Sequence, residues 1–243
     1  MANPVLQRET WRTTVAVPEE AMSYGGVARA AALLLGVAAG AGVAGWASVD
    51  PAADVAVFPG WLWAVLLGGI AVLIATVLRP AWARVTGPVY AVLQGLLLGA
   101  ITHFYEAAFE GIAFQALLAT VVTVVVMAVL WVTRTIRVTQ RLRSFVIGAT
   151  AAVFVFYLVT IGMALFGATM PLVWDAGPLG ILFSLAMVGL AAFNLLIDFD
   201  FIEQGVRARA PRAMEWYAAF GLLATILWLY VELLRLIGKL RSE

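Results

Sequence analysis

Seven long apolar runs alternate with short polar stretches along the chain, spanning roughly 25–47, 61–78, 85–105, 112–132, 145–169, 179–197 and 214–237. A helix needs about 20 apolar residues to cross the hydrocarbon core of a bilayer. The pattern therefore predicts an all-α membrane protein with seven transmembrane helices over 25–238, a polar tail over 1–24 and a short tail over 239–243. Arg79-Pro80 ends the second run, because proline disfavours a helical residue before it. Trp61 and Trp63 suit one membrane interface and Trp82 the other, where amphipathic rings collect. Gly36, Gly40 and Ala44 fall four apart on one face of the first run, a spacing that lets two helix backbones approach closely.

Composition strengthens this picture. Of 243 residues, 64% are hydrophobic and 12% charged, whereas a soluble domain is nearer half apolar and a quarter charged. The excess is too large for one buried core, so lipid must be the solvent for much of the surface. A net charge of +1 gives no reason to expect a nucleic-acid partner. The absence of cysteine excludes disulfides, thiol catalysis and cysteine-based metal sites. The first 24 residues are mixed in charge and lack an apolar region followed by a small-residue cleavage site, so no cleavable signal peptide is expected.

The charges sort by side. The connections after runs one, three and five hold Asp50, Asp54, Glu106, Glu110 and Asp175 and no basic residue. Those after runs two, four and six hold Arg79, Arg84, Arg134, Arg137, Arg141, Arg143, Arg207, Arg209 and Arg212. Cytoplasmic loops are enriched in Lys and Arg, which predicts a cytoplasmic N-terminus. Seven crossings then put the C-terminus outside, and Lys239 and Arg241 go against the rule there. The Arg134–Arg143 run suits anionic lipid.

Candidate chemistry concentrates in Asn194-Leu-Leu-Ile-Asp198-Phe-Asp200-Phe-Ile-Glu203. Ionisable groups at membrane depth are costly and point to function. Asp198 follows Asn194 by four and shares its helical face. Asp200 lies nearly opposite and shares a face with Glu203, which can pair with Arg207; as exposed charges at a helix end these would contribute little. Asp198 is the candidate cation ligand or titrating gate at the inner mouth of an ion path, with Asp200 and Glu232 as further candidates on that path. Low dielectric favours a neutral carboxyl, and two neighbouring carboxyls can share one proton. Glu232 is the candidate partner and, with Asp198, a weak calcium ligand; Arg235, three residues on, competes for it. Gln94 and Asn194 are candidate polar pore-lining residues, and Arg235, Glu203 and Arg207 candidate gate ion pairs. Glu215, in the first turn of the last run, suits a positive helix end. His103 with Glu106 and Glu110 could titrate or hold a metal weakly, although one imidazole makes no zinc site. No Walker loop, GxSxG elbow, HExxH or dinucleotide fingerprint occurs, and no enzyme is expected.

Four segments carry a resemblance. Tyr90-Ala-Val-Leu-Gln-Gly95-Leu-Leu-Leu-Gly99-Ala-Ile-Thr-His-Phe-Tyr105-Glu106 resembles the third-helix motif of the transmembrane Bax inhibitor motif family, in its bacterial YccA/YetJ-like branch. Gly111-Ile-Ala-Phe-Gln115-Ala-Leu-Leu-Ala-Thr120 resembles the segment that follows. Leu195-Leu-Ile-Asp198-Phe-Asp200 is similar to the family's sixth-helix aspartate motif, and Leu229-Tyr-Val-Glu232-Leu-Leu-Arg235-Leu to its last helix. The resemblance implies a seven-helix fold with the last helix central, in a bacterial plasma membrane, acting as a monomer. It implies a pH-sensitive calcium leak gated by one carboxylate from helix six and one from helix seven, with no cofactor beyond calcium as the permeating ion. Asp198 matches the first carboxylate. Counted back about three turns from Arg235, the second falls near Thr225, and Gln94 stands where the family usually carries Glu. Some family members instead bind and restrain a membrane-anchored ATP-dependent protease.

Overall fold

The computed structural model describes residues 21–49, 60–167 and 176–242. Residues 1–20 of the tail expected over 1–24, and Asp50, Asp54 and Asp175 of two expected connections, lie outside the described residues. The seven crossings are α1 (Tyr24–Ala47), α2 (Gly60–Leu78), α3 (Ala83–Ala108), α4 (Ile112–Val132), α5 (Gln140–Leu165), α6 (Pro178–Arg207) and α7 (Met214–Arg241). All are long and apolar enough to cross a membrane.

Local chemistry sets the ends. The Ser23 hydroxyl accepts from Gly26 N–H at 3.0 Å and caps α1. Thr139 does the same for Leu142 N–H, so α5 begins five residues before its apolar run. A 3₁₀ turn over Pro80–Trp82 joins α2 to α3. The α3–α4 connection turns at Gly111, which has a φ of 80°. The Glu106 carboxylate accepts from Gly111 N–H at 2.6 Å and Ala113 N–H at 2.9 Å, satisfying the open amides at the start of α4. Two helices outrun their apolar cores. α6 continues through Arg207, so Asp198, Asp200 and Glu203 occupy the last three turns of one unbroken helix. α7 continues through Arg241, which places Lys239 and Arg241 on a helix rather than in a tail.

The last helix is central: α7 packs against α1, α3, α4 and α6. The most extensive contact is that between α1 and α3. There the backbones nearly touch, for a Cβ added at Gly95 would overlap the Ala38 carbonyl and one at Gly99 the Gly42 carbonyl. Between membrane helices such close van der Waals contact replaces the hydrophobic drive. The expected small-residue stripe is displaced around α1, since Gly36 and Gly40 meet nothing within 4 Å and face outward. α4 turns Leu117, Leu118, Val121, Val122, Val125 and Val129 outward, an apolar surface suited to lipid. α5 is the least buried crossing and packs chiefly on α6.

All seven helices run alternately. The starts of α1, α5 and α7 and the ends of α4 and α6 share one end of the bundle, joined by Ser23–Glu215, Arg134–Glu203 and Arg143–Asp200 contacts. At the other end Lys239 Nζ donates to Gly180 O at 2.9 Å and Arg241 Nη1 to Glu110 O at 2.9 Å. The two cations that break the charge rule are thus engaged with backbone carbonyls.

Candidate functional site

Asp198 lies on the face of α6 turned toward α7. A Cβ added at Gly221 would lie 3.7 Å from Oδ1, and Thr225, one turn further along α7, donates its hydroxyl to Gly221 O at 3.2 Å. The absence of a side chain at Gly221 leaves that carboxylate room against the helix. Oδ2 is sealed from solvent and has no hydrogen-bond partner. One turn further into the membrane, Asn194 Nδ2 donates to Thr150 Oγ1 at 2.8 Å, linking α6 to α5. Asn194, Thr150, Thr225, Gln94 and Tyr157 together line a partly open cavity of about 350 Å³ between α2, α3, α5, α6 and α7. The remaining wall is mostly apolar, including Leu66, Leu73, Phe154 and Ile161. The two residues expected to line a path, Asn194 and Gln94, therefore share one cavity with Thr225, one turn along α7 from the Gly221 that faces Asp198.

Toward the end of α6 lies a layer of paired charge. Glu203 is only 5% exposed and meets both Arg134 and Arg207 through Oε1. Asp200 pairs with Arg143 and accepts from Gln204 Nε2 at 2.7 Å. Glu203 is thus not the solvated helix-end charge that its position suggests. Arg134 and Arg143, expected against anionic lipid, instead tie the α4–α5 region to α6. The hydrogen bond and charge of Glu203 push the pKa of the Arg134 guanidinium above its ordinary value.

The Asp198–Glu232 dyad does not form. Glu232 lies seven residues beyond Thr225, about 10 Å further along the α7 axis. It is 1% exposed and fully engaged where it stands. Arg235 Nη1 donates to Oε2 at 2.8 Å, Tyr157 O–H to Oε1 at 2.7 Å and Trp228 Nε1–H to Oε1 at 3.0 Å. Arg235 also donates to the Tyr157 oxygen at 2.6 Å, closing a ring of three groups. Asp198 and Glu232 are therefore not joint calcium ligands, and the described residues contain no group of three or more potential His, Cys, Asp or Glu ligands.

The remaining candidates have local duties. The His103 ring stands edge-on to Trp46 at 5.1 Å between centroids, in the α1–α3 contact. Its expected neighbour Glu106 caps α4 instead. Glu215 sits in the first turn of α7 but reaches α1, accepting from Ser23 N–H at 3.0 Å and Ser23 O–H at 2.9 Å. Tyr157, Thr150 and Trp228 were not singled out from sequence, although each completes the polar interior. The available hint was a lone hydroxyl ring in the apolar stretch Phe154-Val-Phe-Tyr157, and a lone indole one turn before Glu232.

No curated protein and no solved structure matches the chain. A family model described as Bax inhibitor 1 like matches residues 3–242. With that match over nearly its whole length and seven membrane-spanning helices, the chain belongs to the Bax inhibitor 1 like family.

Proposed function

We propose that this integral membrane protein is a passive, proton-regulated cation leak, with calcium the ion to test first, acting as a monomer in a bacterial plasma membrane with its N-terminus cytoplasmic. One observation carries the reading: a carboxylate at membrane depth keeps a buried oxygen unpartnered beside an interhelical cavity that has polar groups in its wall. A charge so placed is costly unless it titrates or receives a cation. Protonated, Asp198 is neutral and α6 rests against Thr225 and Gly221. Deprotonated, it draws water or a cation toward the cavity, where Thr225, Asn194 and Gln94 supply neutral oxygens suited to a hard cation. The test is calcium entry into sealed vesicles as a function of pH, for the native chain and for Asp198→Asn. The expected outcome is pH-dependent entry that becomes pH-independent in the variant; an unchanged profile excludes Asp198 as the sensor.

A second reading has its own observation. Asp198 meets no second acid across α7, and the charges beneath it are paired, which suits a closed, non-conducting bundle. Such a protein would act as a regulator that binds a membrane-anchored ATP-dependent protease. It predicts no flux at any pH, and co-purification of the protease with the full chain.

A further inference from the structure

Three arginines outside the paired layer converge on one groove. Arg29 comes from α1, Arg84 from the first turn of α3 and Arg212 from the link before α7. They line a cleft of about 560 Å³ whose floor includes Ala81, Leu33 and Trp216. Unlike Arg134, Arg143 and Arg207, each bound to a carboxylate, these three are barely compensated. Arg84 has no ion pair or hydrogen bond among the described residues. Arg29 spends only Nε, on Gly25 O at 3.2 Å. Arg212 approaches Glu215 no closer than 3.8 Å, and both hydrogen bonds to Glu215 come from Ser23. Among the described residues the groove thus keeps a surplus of positive charge even with Glu215 counted against it.

Its shape is as informative as its charge. Leu33 lies one helical turn deeper than Arg29 and is 50% exposed, so the groove runs from a cationic mouth onto the lipid-facing side of α1. A ligand that fits has an anionic head and an apolar continuation. Guanidinium forks match phosphate oxygens in pairs, and several contributed by separate elements fix a headgroup in place rather than merely attracting a charged surface.

We propose that this groove is a binding site for the phosphate headgroup of an anionic membrane phospholipid, with an acyl chain laid over Leu33. The test is native mass spectrometry of the full chain purified in mild detergent with added phosphatidylglycerol. One retained lipid per chain is expected. Arg29→Gln/Arg84→Gln/Arg212→Gln should lower retention at least about tenfold. Arg84→Gln alone, which breaks no contact in the fold, should lower it about fivefold. Arg137→Gln/Arg141→Gln/Arg209→Gln, which removes as much charge outside the groove, should leave it unchanged. Equal loss in that control, or equal retention of zwitterionic phosphatidylcholine, would overturn the proposal. So would displacement by soluble glycerol phosphate at matching concentration, since the source would then be a free phosphate.

Discussion

Two carboxylates on adjoining helices, Glu232 buried and Asp198 half-buried, have opposite surroundings. Glu232 is held by Arg235, Tyr157 and Trp228; Asp198 faces Gly221 and keeps an idle oxygen. A buried pair that loses one member leaves the other uncompensated, at a cost of about 3–5 kcal/mol, while replacing both with apolar residues is close to neutral. Glu232→Gln and Arg235→Met should therefore each lower thermal stability in detergent sharply. Glu232→Leu/Arg235→Met should recover much of the loss, with a double-mutant cycle giving the coupling. Asp198→Asn should not destabilise in this way, because no fixed cation depends on that charge. Sequence spacing showed both possibilities for Glu232, since i to i+3 brings Arg235 within reach. It could not choose between them, because the deciding partner, Tyr157, lies 75 residues away on a different helix.

At the scale of elements, apolar run length found all seven helices, because the bilayer sets one length for every crossing. Helix ends were read less well where polar residues continue a helix beyond the lipid, as they do on α6 and α7. Facing was less legible still. Gly36 and Gly40 have the spacing of a contact and make none, while Gly95 and Gly99 carry it. Every face of α1 is apolar, so hydrophobicity does not mark the face that packs against α3. Gly99→Leu should push α1 from α3 against an immovable carbonyl and cost on the order of 3 kcal/mol or more. Gly36→Ala, with open space around it, should be neutral or gain up to about 1 kcal/mol. Thermal denaturation followed by size-exclusion chromatography separates the two.

At the scale of the molecule, the alternation of basic and acidic connections agrees with which helix ends meet. Lys239 and Arg241, the two cations at odds with the charge rule, are committed to carbonyls of α6 and of the α3–α4 turn. The chain has no cysteine, so a single introduced thiol reports sidedness without background. In sealed inside-out vesicles, Thr133→Cys should react with an impermeant maleimide, and Ser242→Cys should react only after the membrane is opened. Labelling of both before opening would contradict an odd number of crossings.

The paired layer at the end of α6 has an electrical consequence. Three guanidinium groups, Arg134, Arg143 and Arg207, face two carboxylates, Asp200 and Glu203, so the stratum beneath Asp198 keeps one uncancelled positive charge. On the proposed route an ion would meet an attractive well at Asp198 and then a repulsive collar on one side of it only. Such a profile leaves the two directions equal at equilibrium, but under an applied voltage inward and outward currents of equal drive would differ.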